Sequence, residues 1–140
     1  MFGTNIFFEH ENLEINASYI WAKNTSNESP LSEIPPLSVT TKLISPKYYN
    51  FMIYAKHTYN DAQLRIDELL NESSTPAWNR IDLGINYSWT SLSISLDVEN
   101  ILDQEFYQHL SYLRDPFSSM NRVYEPGRVF RVTFKTNQFF

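Results

Sequence analysis

Residues 92–99 read Leu92-Ser93-Ile94-Ser95-Leu96-Asp97-Val98-Glu99. Leu, Ile, Leu and Val fall on one parity, and Ser, Ser, Asp and Glu fall on the other. Successive side chains of an extended chain point to opposite faces, so these residues specify a strand with one apolar face and one polar face. A helix would scatter both sets around its surface.

The same alternation recurs on both sides of this octet. Upstream, Ile81, Leu83, Ile85 and Tyr87 oppose Asp82, Gly84, Asn86 and Ser88, and Tyr49, Phe51, Ile53 and Ala55 oppose Asn50, Lys56 and Thr58. Further back, Leu13, Ile15, Ala17, Tyr19 and Trp21 oppose Glu14, Asn16 and Ser18, and near the end Phe130, Val132 and Phe134 oppose Arg131, Thr133 and Lys135. Weaker runs at Thr4 to Phe8 and Leu37 to Leu43 bring the expectation to about seven strands. One segment, Asp61 to Asn71, carries Leu64, Leu69 and Leu70 between polar ends and reads as loop.

The connections carry as much information as the strands. Glu9 to Asn12, Ser45 to Lys47 and Trp89 to Ser91 are short, whereas Lys23 to Pro36, Asn60 to Ala77 and Gln104 to Gly127 are long. Short and long alternate throughout, as they do in transmembrane barrels with short periplasmic turns and long outer loops. Tyr and Trp prefer the two interfaces of a bilayer. Tyr19, Trp21, Tyr59 and Trp78 fall at the long-loop ends, and Tyr48, Tyr49, Tyr87, Trp89, Phe139 and Phe140 at the short-turn ends, so two aromatic girdles are expected.

Composition is consistent with this pattern. Mean hydropathy is -0.39, and no stretch approaches the roughly 18 uninterrupted apolar residues of a membrane-spanning helix. That excludes a helical span but not a barrel, whose strands average apolar with polar positions. Aromatic residues make up 16% of the chain against 19% charged, a density that calls for an interface or a core. There is no Cys, which removes disulfides and thiolate metal sites, and the net charge of -5 argues against a nucleic-acid partner. Met1-Phe2-Gly3-Thr4-Asn5 lacks the basic and apolar regions of a secretory signal. An N-terminal portion is therefore expected to be missing.

The stretch from Asp97 to Phe140 resembles the C-terminal segment of TonB-dependent outer-membrane receptors. The resemblance rests on Val98-Glu99-Asn100-Ile101-Leu102-Asp103-Gln104-Glu105-Phe106-Tyr107, on Glu125-Pro126-Gly127-Arg128-Val129-Phe130, and on the terminal Phe140. In that family a strand ending in a V-x-N-L-F-D-x-x-Y motif precedes a long outer loop, a P-G-R approach and a last strand ending in Phe. Here Ile101 and Leu102 replace the usual Leu-Phe, and Tyr124 stands before Glu-Pro-Gly-Arg. Upstream and in the same order, Leu13 to Ala22 resembles a family strand of the N-A-S-Y type, Ile34-Pro35-Pro36 the proline pair that opens the next descending strand, and Trp78-Asn79-Arg80 the start of the following one.

The resemblance implies an all-β fold: an antiparallel transmembrane β-barrel segment of about seven strands, a partial barrel. Residues 1–140 would be the C-terminal part of a receptor barrel whose complete form has 22 strands and a plugged lumen, with the plug domain absent. Its implied role is uptake of scarce nutrients such as iron–siderophore chelates or cobalamin across the bacterial outer membrane. The implied partners are outer-membrane lipid, TonB through the missing N-terminal region, and the barrel-assembly machinery, for which Phe140 would be part of the signal. Such a piece is not expected to transport alone.

Asn100 and Asp103 bracket a strand exit, where short polar side chains bond the turn backbone, and Pro126-Gly127 punctuate the return, so Asn100, Asp103, Glu125, Pro126, Gly127 and Arg128 form the motif set. The loop between them holds Tyr107, His109, Tyr112, Arg114, Asp115, Phe117 and Arg122. Of these, Tyr107, His109, Tyr112, Arg114 and Arg122 are candidate contacts for an anionic chelate, against the plainer alternative that they pack the loop.

Catalysis has no motif to support it, so no enzyme activity and no cofactor are expected. His10, His57 and His109 are too dispersed in sequence to suggest a metal site. Asp97 and Glu99 are expected on the lumenal face at depths similar to Lys135 and Arg131, as cross-strand charge pairs. Two alternatives remain at this point. One is a complete eight-stranded outer-membrane barrel acting as adhesin or stabiliser, which needs one more strand and a signal peptide. The other is a soluble β-sandwich or binding module with a dry interior.

Overall fold

The computed structural model describes residues 1–26, 28–111 and 122–136. Seven strands form one sheet: β1 Phe2–His10, β2 Leu13–Trp21, β3 Ser38–Ile44, β4 Phe51–Asn60, β5 Trp78–Ser88, β6 Leu92–Glu99 and β7 Val129–Thr136. They lie in chain order and each pairs antiparallel with the next. This is the all-β, up-and-down sheet of a barrel wall, and it is open at β1 and β7.

Register sets which residues share a face. Leu43, Ala55, Leu83, Val98 and Phe130 form one cross-strand row, and Ile53, Ile85, Leu96 and Val132 form another. These are apolar rows, and they face outward: Leu83 is 36% exposed, Leu96 49%, Val132 56% and Phe130 72%. On the opposite face, the Asp82 carboxylate is only 2% exposed. The sheet is inside out relative to a water-soluble one, in which the apolar rows would be the covered side. Among the described residues the buried apolar side chains are Ala22 and Phe106, both in connections at the long-loop end. Among the described residues no dry core lies against either face.

The long-loop segment expected to be irregular contains one 3₁₀ turn, Glu68–Leu70. The Asp67 side chain caps it by accepting from Leu69 N, and Asn71 ends it in the left-handed region at φ 56°. Tyr49, expected at the start of β4, instead sits in the preceding turn at φ 51°. The aromatic ends are partly as expected. Tyr48, Tyr49 and Trp89 are exposed at the short-turn end, and Phe51 meets Tyr87 at 4.7 Å between ring centroids.

Trp78 departs from the expectation. It stands opposite Asn60 and shares parity with Arg80 and Asp82, so it belongs to the polar face. There its indole stacks on Phe106 at 4.2 Å and 28°. Position along the strand suggested a girdle, but alternation decides the face.

Candidate functional site on the polar face and its long-loop end

The polar face is tied together by side chains spanning β2 to β7. Asp82, on β5, collects donors from three directions. Asn100 N donates to Oδ1 at 3.0 Å, Lys56 Nζ lies 3.0 Å from Oδ2, and Arg80 Nη2 donates to Oδ2 at 3.1 Å. Arg80 Nε is 3.0 Å from Oδ1 but is angled away from a hydrogen bond. A carboxylate removed from water needs this many partners, because an unpaired buried charge is among the costliest features a fold can carry.

A second tie crosses three strands. Tyr54 on β4 donates its hydroxyl to Asp97 Oδ1 on β6 at 2.8 Å, passing over β5 at Gly84. A Cβ at Gly84 would lie 2.2 Å from the Tyr54 ring and 2.5 Å from Asp97 Oδ1. Glycine is therefore required at this point by the phenol above it. Further along the face, Lys42 pairs with Glu14 at 3.3 Å and stands 5.8 Å from the Tyr54 ring centre. Arg131 pairs with Glu99 at 2.7 Å. Asn86 donates to Ser93 and Ser95, both across on β6. Lys42, Tyr54, Lys56, Asn86, Ser95 and Asp97, with Ile44, Met52 and Ile85 between them, line an open hollow of about 470 Å³. The arrangement is polar, near charge balance and already hydrogen-bonded, which suits a hydrated lumen better than a reaction site.

Of the expected charge pairs, Glu99 with Arg131 forms. Asp97 sits directly opposite Arg131 in register but accepts from Tyr54, and Lys135 stands opposite Ser93. The register places Lys135 two rows too far toward the turn to meet Asp97.

The motif residues at the end of β6 come together as a neck. Asn100 is buried with φ 52°, its Oδ1 accepts from Gln104 N at 3.0 Å, and its Nδ2 donates to the carbonyls of Gln104 and Pro126. Asp103, at φ 53°, accepts from Arg128 N through Oδ1 at 2.7 Å. A Cβ on Gly127 would fall 2.8 Å from that same oxygen, so glycine again makes room for the carboxylate. Glu125 N donates to Phe106 O, and Gln108 donates to the Glu125 carboxylate. Asn100, Asp103, Glu125, Pro126, Gly127 and Arg128 thus meet where the chain leaves one strand and returns to the next.

Above the neck, the three long connections are joined through Glu72. Its Oε1 accepts from Glu33 N at 2.8 Å and lies 3.0 Å from His109 Nε2, while Oε2 accepts from Asp67 N at 2.7 Å. His109 is buried, with Nδ1 3.2 Å from Thr75 Oγ1. Arg122 donates to His109 O at 2.6 Å and to Ser73 O at 2.8 Å, and its guanidinium lies 5.4 Å from the Tyr107 ring centre. Tyr107 meets Tyr124 edge to face. Among the candidate ligand contacts, His109 and Arg122 are therefore engaged with neighbouring loops, and Tyr107 is half-buried beside them. Tyr112, Arg114, Asp115 and Phe117, and the terminal Phe139 and Phe140, lie outside the described residues. Among the described residues no group of three His, Cys, Asp or Glu is placed to hold a metal ion.

Sequence reasoning did not single out Tyr54, Lys56, Arg80 and Gly84 as a cluster. The signal was a glycine within a strong strand, which points to a close approach.

No protein-family model matches the chain, and no curated protein matches it. Among solved structures the chain is similar to a copper transporter, OprC, with a TM-score of 0.78 and 24% identity. The likeness covers 96% of this chain and 23% of that one. At this identity it shows a common fold, and the chain spans under a quarter of the transporter's length.

Proposed function

We propose that this chain is part of the wall of a TonB-dependent outer-membrane transporter that takes up a scarce nutrient. One observation carries the reading: Phe51, Ile53, Leu83, Leu96, Phe130 and Val132 stand exposed along the apolar rows, while the ionic and hydroxyl groups gather on the other face around the buried Asp82. Hydrocarbon is the medium that suits such a surface, and a water-filled lumen suits its reverse. The alternation of short and long connections and the likeness to a transporter's fold support the same assignment. The motif positions support the family, since Asn100 bonds Pro126 O, Asp103 bonds Arg128 N, and Gly127 between them leaves room for the Asp103 carboxylate. The cargo class is that implied by the sequence resemblance, an iron–siderophore chelate or cobalamin. Its outer approach would be the loops carrying Tyr107 and Tyr124.

The chain contains no Cys, so single cysteines report their own positions. Ile94→Cys and Leu96→Cys, labelled with bimane in isolated envelopes, should emit blue-shifted light that lipid-borne spin labels quench. Ser93→Cys and Ser95→Cys should instead react with a membrane-impermeant maleimide. Reversal of this pattern would exclude the barrel wall, and identical behaviour on both parities would do the same. Uptake of radioiron chelate or cobalamin, each with and without dissipation of the proton gradient, tests the cargo.

A further inference from the structure

Cations on the two faces of the sheet are matched differently. On the polar face Lys42, Lys56 and Arg131 each lie within 3.3 Å of a carboxylate, and Arg80 shares Asp82 with Lys56. Arg65, in the connection between β4 and β5, stands at the other face. Its guanidinium lies 4.7 Å from the ring centre of Trp21, which has the parity of Leu13, Ile15, Ala17 and Tyr19, the apolar side of β2. Nη2 donates to Ala22 O at 3.1 Å. Among the described residues no carboxylate pairs with it. A guanidinium is a permanent charge with a fan of N–H donors. Half-buried against an indole at the rim of a surface that faces hydrocarbon, it is costly unless an anion meets it.

Beside Arg65 runs a cleft of about 180 Å³. Tyr19 and Leu37, which continue the apolar parities of β2 and β3, give it apolar walls together with Pro35 and Pro36, and the exposed Leu64 stands at its edge. Its other polar side chains are used within the protein. Gln63 donates to Ile34 O at 2.6 Å, and Asp61 accepts from Tyr59 OH at 3.0 Å and from Ala62 N at 2.8 Å. Asp61 is also tied to Leu37 O through its own N, nearer the sheet than Trp21 and Arg65, so its charge repels an anion toward the Arg65 end. Trp21 is the last residue of β2, and the cleft therefore opens where the strands leave the bilayer on the long-loop side.

This combination specifies an occupant. Apolar walls continuous with the lipid-facing rows suit the upper part of an acyl chain, and a guanidinium braced from behind by an indole suits a phosphate, which it can grip through two N–H groups. A free ion would satisfy only the second feature. Resting on the membrane reading proposed above, we infer that the cleft is a binding site for an anionic, phosphate-bearing lipid of the outer leaflet. Arg65 holds the phosphate, Trp21 fixes the guanidinium, and Tyr19 and Leu37 receive the start of the hydrocarbon.

The test reads local lipid preference in the full protein reconstituted in phosphatidylcholine bilayers. Leu64→Cys labelled with bimane reports on the cleft, and lipids spin-labelled just below the headgroup quench it. Spin-labelled phosphatidylglycerol should quench at a mole fraction about fivefold lower than spin-labelled phosphatidylcholine, the worth of one cation beside an anionic headgroup. Arg65→Gln should abolish the preference, whereas Asp61→Asn and Lys47→Gln, the latter at the short-turn end, should leave it in place. Equal quenching by the two lipids with Arg65 intact would overturn the inference, as would a preference that survives Arg65→Gln. An equal fall in Lys47→Gln would reduce the effect to net charge, and loss in Asp61→Asn would give the lipid to the carboxylate; either result also overturns it. Inorganic phosphate added at constant ionic strength should change nothing, and erasure of the preference would assign the cleft to the free ion instead. Failure of the membrane reading is seen separately, because bimane at positions 94 and 96 would then escape both quenchers whatever happens at position 64.

Discussion

Gly84→Ala is the sharpest single test of how the polar face is held. The added methyl would sit 2.2 Å from Cε1 and 2.6 Å from Cζ of Tyr54, where ordinary contact begins at 3.4 Å. The ring would have to retreat by more than an ångström, and its hydroxyl would leave Asp97. A hydrogen bond to a charged group is worth about 1.5–3 kcal/mol, and the lower half of that range applies on a face open to water. Alanine in place of glycine returns roughly 0.4–1 kcal/mol by restricting the unfolded chain. The net expectation is a loss of about 1 kcal/mol, up to about 2 if Asp97 finds no other donor. Urea unfolding in detergent micelles, followed by Trp fluorescence, would read it as a lower midpoint with an unchanged slope. In a Tyr54→Ala background the phenol is gone, so the same Gly84→Ala change should become neutral or slightly stabilising. Equal cost in both backgrounds would refute the account, because the penalty would then lie in the backbone and not in the ring.

Three further outcomes follow from the same network. Asp82→Asn should destabilise by about 3 kcal/mol, since Lys56 and Arg80 lose their counter-charge at a buried site, whereas Glu99→Gln should cost under about 1 kcal/mol because Arg131 is well exposed; equal urea midpoints for the two variants would contradict this. Asn100→Gly keeps the left-handed backbone and loses the side-chain bonds, so it should be milder than Asn100→Ala by about 1 kcal/mol in urea unfolding, the strain of a left-handed non-glycine residue. Glu72→Ala removes the acceptor shared by Glu33 N, Asp67 N and His109, and limited proteolysis should then cut the three long loops several-fold faster while the strands stay intact; unchanged cleavage would show that the loops are not joined through this carboxylate.

Much of this architecture was legible in the residues. Leu92 to Glu99 sets period, face and length together, and β2, β4, β5 and β7 repeat it, because a half-solvated strand has no cheaper way to satisfy both sides. The glutamate at position 99 and the arginine at 131 could be paired by counting back from the hairpin. Lys135 could not be placed with Asp97, since that depends on a register two rows finer than hairpin length alone provides. Trp78 lies at the long-loop end as expected, but distance along a strand does not fix a face, and counting from Ile81 assigns it to the polar side. The Tyr54 to Asp97 bridge joins positions 43 residues apart, and only Gly84 hints at it. The hub at Glu72 leaves no local trace, because its three donors come from three separate connections.

The pinch formed by Asn100, Asp103 and Gly127 has an evolutionary corollary. It fastens the two stems of the final excursion immediately above the wall, so the span between them is anchored however long it is. Lengthening a closed segment adds entropy cost only logarithmically, roughly 0.6 kcal/mol per doubling. Insertions and deletions between Gln108 and Glu125 are thereby insulated from the staves below, and this chain could change the length and sequence of that span without renegotiating how its strands fold.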